Sequence, residues 1–462
     1  MAMDDTTTTM SGSARAWAGF QGGRDPYITL ISIYVFMPYV ATVLIGDAVK
    51  GQAMIAGVAL LGGLIAALTA PFLGAAADRI GRRKPALALV AALFAPTVFA
   101  LWWAKPDGHG LGVPAVLALT LVISLLFTYG EVLHNSLIPY AARNGRDAAS
   151  MSGAALAWGN LVSVLALVFV LWAFALPGKV HWSFVPAAPL FGLDPSLGEP
   201  SRIAAPIAAV LFVIGVVPLL LFTHDAPARA GRVGAALAGG ARDLLALVRS
   251  VRHHRDAAIF LAARMLFSDA QIALILFCGI YAAGVMHWGV LEMTAFGILM
   301  SAWAAVGGFL SSVLDRKLGP KRALQVEIIG TIAGIVALLG VSPEGMRFVF
   351  TVAPDAAPLW NGPVFTKAPE LVFLAIGGVV AVFNTAIFAS SRTLLTRLIP
   401  PGQSGAFFGL FALSATATVW VGPLAVKTAV ASFHSQQAGN VAIAILMALG
   451  FIPLCLVRER RD

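Results

Sequence analysis

The chain has 462 residues, of which 59% are hydrophobic and 11% charged, and a formal net charge of +9. Ordinary soluble domains carry roughly a quarter charged residues, and no soluble core of this size hides so much apolar surface, which excludes a water-soluble globular class. The positive balance does not point to nucleic acid, because the basic residues sit in short loops between apolar runs, as membrane topology requires.

Residues 1–26 read as a cytoplasmic N-terminal leader. Met1 to Ser13 lacks the basic start and short apolar core of a secretory signal. Apolar spans of about 20 residues, the length that crosses a bilayer, are then predicted near 27–46, 52–77, 85–104, 114–139, 149–174 and 203–223. These six make an N-terminal bundle over 27–223. A connection over 224–257 follows. Pro227, Gly231, Gly239 and Gly240 give it a flexible start, and Arg242 to Arg255 fit an amphipathic helix on the membrane surface. A second bundle over 258–457 has spans near 258–284, 290–312, 322–342, 370–391, 404–428 and 437–457, and 458–462 is a tail. Helix is required throughout, since each spanning segment must satisfy its own backbone. The expected fold is therefore an all-α polytopic membrane protein with 12 transmembrane helices in two six-helix bundles.

Lys and Arg number 23 in the leader, linker, tail and alternate loops on the N-terminal side, and 7 on the other side. The positive-inside rule places both termini in the cytoplasm. Cys278 and Cys455, both within apolar segments, are too few for a disulfide framework or a metal site. No phosphate-cradling Gly-x-x-x-x-Gly-Lys-Ser/Thr loop is present. Neither cofactor nor metal is expected.

The turn after the second span carries the most specific pattern: Gly74, Asp78, Arg79, Gly81, Arg82, Arg83 and Lys84. Four-residue spacing stacks Gly62, Ala66, Ala70, Gly74 and Asp78 on one helix face, and small residues there let another helix come close. Asp78 then stands where it can meet the positive end of a neighbouring helix dipole. Gly81 permits the reversal, and the basic triplet is expected to anchor to phosphate headgroups. The pattern recurs weakly after span eight, around Asp315 and Arg316.

Among the ionisable side chains within predicted spans, three stand out: Glu131, Arg264 and Asp269. Each costs roughly 2.5–3.5 kcal/mol at a helix centre and should face protein or water. Glu131 and Arg264 share the cytoplasmic half by depth and are expected to pair across a central cavity. Asp269, nearer the midplane, is expected to bind a proton or a substrate amine. Asn135, Ser268, Gln271 and Asn384 offer hydrogen bonds to a polar solute, and Tyr34 a hydroxyl and an aromatic face.

The second loop resembles that of the major facilitator superfamily. Further stretches resemble the autophagy-related vacuolar amino-acid effluxer branch and its bacterial relatives: Tyr34-Val35-Phe36-Met37-Pro38-Tyr39, Asn135-Ser136-Leu137-Ile138-Pro139, Arg264 to Asp269, Gly279 to Gly284, and Phe407 to Ser414 with Gly422-Pro423-Leu424. The resemblance implies two pseudo-symmetric bundles and rocker-switch alternating access. It implies a secondary transporter for a small polar solute, with amino-acid efflux the first expectation and proton coupling possible. The chain is expected to be a multi-pass monomer of a bacterial inner membrane, its partners lipids, solute and protons. It also implies that Asp78 engages the start of span eleven at Gln403-Ser404-Gly405, and that Asp315 faces the start of span five near Asp147. Two positions depart from the relatives: Phe20 to Asp25 replaces an aromatic-Asp-Trp-Ala-Asn-Ser run, and Thr416 stands where a Lys is usual. A cation-linked sugar symporter is the alternative within the class, and a lipid scramblase or flippase the alternative outside it.

Overall fold

The computed structural model describes residues 10–80, 82–142, 145–225, 227, 254–353, 357–398, 410, 411, 414, 415 and 417–458, with the backbone alone at 71, 72, 74–80, 145–150, 152 and 153. The described helices, in chain order, are α1 (Gly12–Leu44), α2 (Ala48–Ile80), α3 (Lys84–Trp103), α4 (Val113–Ala141), α5 (Gly145–Val170, continued by Leu171–Ala175), α6 (Glu199–Phe222), α7 (Arg255–Met286), α8 (Val290–Leu318), α9 (Pro320–Leu338), α10 (Ala368–Leu398), α11 (Val421–Phe433) and α12 (Gln436–Leu456). Ten of the described spans are long and apolar enough to cross a membrane. Helix α9 has the length but holds Lys321, Arg322 and Glu327, and α11 is the outer part of span eleven. The linker 228–253, with its expected amphipathic helix, lies outside the described residues, as do Gly81, Thr416 and the start of span eleven.

Helix α1 begins fifteen residues before the expected first span, so most of the expected leader is the start of that helix. Ser11 starts it by accepting the Ala14 N–H at 3.1 Å, which satisfies one of the free donors of the first turn. The stretch is too polar to register as a span, yet Trp17, Phe20, Gln21 and Arg24 are buried. Gly23 makes that burial possible: a Cβ there would lie 2.8 Å from the Gly215 Cα of α6. Pro26 and Pro38 both interrupt the hydrogen-bond ladder of α1, and wider turns at Tyr27–Tyr34 and Val40–Leu44 follow them. This is the local re-spacing that proline imposes when it lacks an N–H and crowds the preceding turn.

The halves repeat the same packing. In the first, α1 lies on α5 and α6, α2 on α4, and α3 on α4 and α6. In the second, α7 lies on α11 and α12, α8 on α10, and α9 on α10 and α12. The two bundles meet where α2 touches α11, α5 touches α8, and α1 touches α7. These contacts gather in the half of the protein remote from the termini. Gly57 meets the Lys427 side chain, Gly63 meets Trp420, and Gly297 meets Tyr34 and Leu167. At the centre α7 packs so tightly on α1 that a methyl on Gly279 would overlap the Ile33 carbonyl.

Two glutamines stand at this closed seam. Gln436 Nε2 donates to the carbonyls of Ala48 (3.3 Å) and Ile280 (3.2 Å), tying the start of α12 to both bundles. Gln52 is fully buried against Gly439, and among the described residues neither end of its amide has a partner. Outward-facing surfaces are apolar, as lipid contact requires: Leu68, Leu89, Ile214 and Phe309 are all exposed.

Candidate functional site

Between the bundles lies a cavity of about 380 Å³, walled by α1, α2, α4, α7 and the approach to α11. Its lining is largely apolar (Ile33, Met37, Ile55, Ile272, Leu276), with hydroxyls from Tyr27, Ser32, Thr120, Ser124 and Thr128. Glu131 is the charged residue of that wall. Thr120, Ser124 and Thr128 each donate to a carbonyl of their own helix, at 2.8–2.9 Å, which leaves their oxygens as acceptors toward the cavity.

Glu131 does not pair with Arg264. Its side chain is 46% exposed, and Oε1 stands 3.8 Å from Nη1 of Arg24, a residue that the sequence reading left in the leader. Arg24 also approaches Asp25 Oδ1 at 3.3 Å and lies over the Phe127 ring at 5.2 Å, while Gln21 Nε2 holds both Asp25 oxygens at 2.9 Å. Four polar side chains of α1 and α4 thus form one network at the cavity edge. Beneath it, Trp17 and His134 bond reciprocally. The indole Nε1–H donates to the His134 carbonyl at 2.8 Å, and Nε2–H of the imidazole donates to the Trp17 carbonyl at 3.0 Å. The rings stack at 4.3 Å. These contacts lock the register of α1 against α4 and so place Arg24 beside Glu131.

Arg264 instead serves span eleven. Nη1 donates to the Phe411 carbonyl and to Ser414 Oγ, both at 2.6 Å, and the guanidinium lies over the Phe411 ring. The reason is rotation: depth along a helix limits which groups share a level, but the angular position decides which neighbour they meet. Asp269 is likewise turned away from the described cavity. It is 1% exposed, and Oδ2 accepts the Gly422 N–H at 2.7 Å. Pro423 sits in the first turn of α11, where its missing N–H costs nothing. The carboxylate caps a helix that restarts inside the membrane. Its Oδ1 has no partner among the described residues.

The other candidates are dispersed. Gln271 Nε2 donates to the backbone carbonyl of Asn384 at 2.9 Å, and Ser268 Oγ is buried without a partner among the described residues. Tyr34 packs edge-on against Phe296, and Asn135 is exposed near the end of α4. Among the eight candidates only Glu131 lines the cavity. In the second-loop motif, side chains of Gly74, Asp78 and Arg79 lie outside the description, so the contacts expected of Asp78 and of Asp315 with span five do too. Arg82 is exposed. Arg83 does not face outward as expected of a headgroup anchor: it is 4% exposed, with its guanidinium 4.9 Å from the Tyr140 ring centroid. The backbone N–H groups of Arg83 and Lys84 donate to Asp225 at 2.9 and 3.1 Å, and Lys84 Nζ donates to the Thr223 carbonyl at 2.8 Å. Arg316 is exposed, and Asp315 is partly buried. One intramembrane acid was missed altogether: Glu327 of α9, 0% exposed.

Comparison with known proteins fits this architecture. The family described as "Vacuole effluxer Atg22 like" matches residues 43–462. Autophagy-related protein 22 of Pichia angusta is 24% identical over 206 residues, 44% of this chain and 34% of that protein. Its namesake in Yarrowia lipolytica is 22% identical over 361 residues, 72% of this chain and 55% of that protein. The chain therefore spans between a third and just over half the length of these relatives. The nucleoside transporter NupG (D323A mutant) superposes with a TM-score of 0.64 at 15% identity, covering 96% of this chain and 98% of its own, which fixes the twelve-helix major facilitator fold. The chain belongs to the vacuole effluxer Atg22-like family.

Proposed function

We propose that the protein is a secondary transporter that moves a small polar solute, an amino acid in the first instance, by rocking its two bundles about the cavity. The observation that carries this reading is the cavity itself. Its volume of about 380 Å³ falls in the range of roughly 300–1,000 Å³ that small-molecule sites occupy. It lies at the interface of two repeats, where carriers of this architecture bind solute, and the described contacts between bundles gather on its far side. Glu131 offers an accepting carboxylate to an ammonium group. Arg24, 3.8 Å away, balances that charge when the site is empty and is released toward a solute carboxylate when it is filled. The apolar wall accepts a side chain.

Efflux also fits the family description. On this reading the protein works as a monomer with both termini in the cytoplasm, as the loop charges favour, and protons drive the flux. The fungal origin of the relatives above leaves a bacterial inner membrane resting on the resemblance to bacterial members. Reconstitution into proteoliposomes, with counterflow of labelled amino acids and sugars and a parallel assay of fluorescent lipid redistribution, tests the proposal. Saturable amino-acid counterflow is expected. Sugar flux alone would favour the symporter reading, and lipid redistribution without solute flux would replace the carrier with a scramblase.

A further inference from the structure

Glu327 stands about 10 Å along α9 from Pro320 at a rise of 1.5 Å per residue, inside the second bundle and away from the cavity. It is 0% exposed. Oε1 accepts a hydrogen bond from Ser390 Oγ of α10 at 2.8 Å, and Oε2 is buried with no partner among the described residues. The nearby Thr331 hydroxyl is committed to the Glu327 backbone carbonyl at 2.9 Å, so it does not serve the carboxylate. Ser391, next to Ser390, is also buried, with its hydroxyl unpartnered among the described residues.

No cation offsets this acid among the described residues. Helices α8, α10 and α12 pack around α9 or beside it. From α8 the acid at this end of the bundle is Asp315, three residues before the helix ends, with exposed Arg316 and Lys317 after it. From α12 there is none, since Gln436–Leu456 holds no Asp, Glu, Lys, Arg or His. On α10, Arg392 is exposed and lies two residues, about 200° of helix rotation, from Ser390, while exposed Arg397 lies about two turns beyond it. On α9 itself, Lys321 donates to the Cys455 carbonyl at 3.0 Å and Arg322 is exposed. Burying a carboxylate with one hydrogen bond and no cation beside it among the described residues is strongly unfavourable, whereas the neutral acid suits the site. Asp315 is partly exposed near the end of α8, yet its Oδ1 is buried without a partner among the described residues.

We infer that Glu327 is a proton-carrying site of the second bundle, loaded from the face bearing the termini by way of Asp315. A proton from water forms an O–H bond on Asp315. That bond breaks as the proton passes to Glu327, leaving Asp315 ionised again and Glu327 neutral. No oxidation or reduction is involved. The same two steps in reverse unload the site when α8, α9 and α10 shift and admit water. Solute and proton would thus be held in different bundles, the solute beside Glu131 and the proton beside Ser390. The inference rests on the carrier reading above.

The test uses the full chain in proteoliposomes, with Glu327→Gln as a neutral near-isostere and Ser390→Ala as a milder change. Amino-acid exchange, which needs no net proton movement, and accumulation driven by a pH gradient are measured on each. Glu327→Gln is expected to keep exchange and lose gradient-driven accumulation. Ser390→Ala is expected to keep both and shift the midpoint of the pH–transport curve. Gradient-driven accumulation surviving in Glu327→Gln, or a wild type indifferent to pH, would overturn the inference. Should Glu327→Gln fail to fold, an unshifted curve in Ser390→Ala would do the same. Absence of any amino-acid exchange in the wild type would instead count against the proposed function.

Discussion

The two bundles share one packing scheme and treat buried charge in opposite ways. In the first, Arg24 stands 3.3 Å from Asp25 and 3.8 Å from Glu131 at the cavity edge, one cation shared by two acids. In the second, Asp269 and Glu327 are buried without a salt-bridge partner among the described residues, and Arg264 is held by a carbonyl and a hydroxyl. Helical pairing therefore constrains the shape of each half but not its electrostatics. A pre-paired network is suited to exchanging one ionic partner for another, as a zwitterionic solute requires. Isolated acids are suited to gaining and losing protons.

The largest disturbance to the comparison should come from the contact that joins the halves. Gly279→Leu would drive a side chain into the Ile33 carbonyl, and a loss of about 3 kcal/mol or more is expected, seen as poor monodispersity in size-exclusion chromatography. Glu131→Gln should leave folding intact and weaken solute binding by about 2 kcal/mol, a roughly 30-fold rise in KM, because a charge-assisted hydrogen bond is replaced by a neutral one. An unchanged KM would detach the α1–α4 network from solute recognition. Gln52→Leu removes an unpartnered buried amide from the closed seam. It should stabilise that state by about 1–2 kcal/mol, raising Tm while slowing turnover; a faster carrier would contradict the assignment. Trp17→Phe, which deletes the indole bond to His134 and keeps most of the stacking, should lower stability by about 1 kcal/mol and reduce flux only as far as Arg24 moves.

Hydropathy made the spans legible because lipid contact leaves little choice of side chain on the outer surfaces. It failed for residues 12–26, where Gln21, Gly22, Gly23, Arg24 and Asp25 break the apolar run and are accommodated by α4, α5 and α6 rather than by lipid. The same failure hid three of the four side chains of the cavity-edge network. Glu327 falls inside the predicted span 322–342, but its burial beside Ser390 is decided by how α9 packs on α10, which hydropathy does not report. The expected Glu131–Arg264 pair matched depth without knowledge of rotation, which packing alone decides. Asp269 is legible as an acid within an apolar run, but its place at the start of α11 depends on a break in span eleven. Gly422-Pro423 was the available signal, since proline is at home in a first turn and disruptive further in.

That α1 starts at Gly12 also bears on how the chain is built. As synthesis proceeds, this helix emerges bearing a guanidinium and a carboxylate, long before Glu131, Trp158 or Gly215 exist to pack against it. Stable seating of its polar stretch must therefore await the fourth through sixth helices. Deleting residues 1–26 as a dispensable leader would therefore remove the piece around which the first bundle closes.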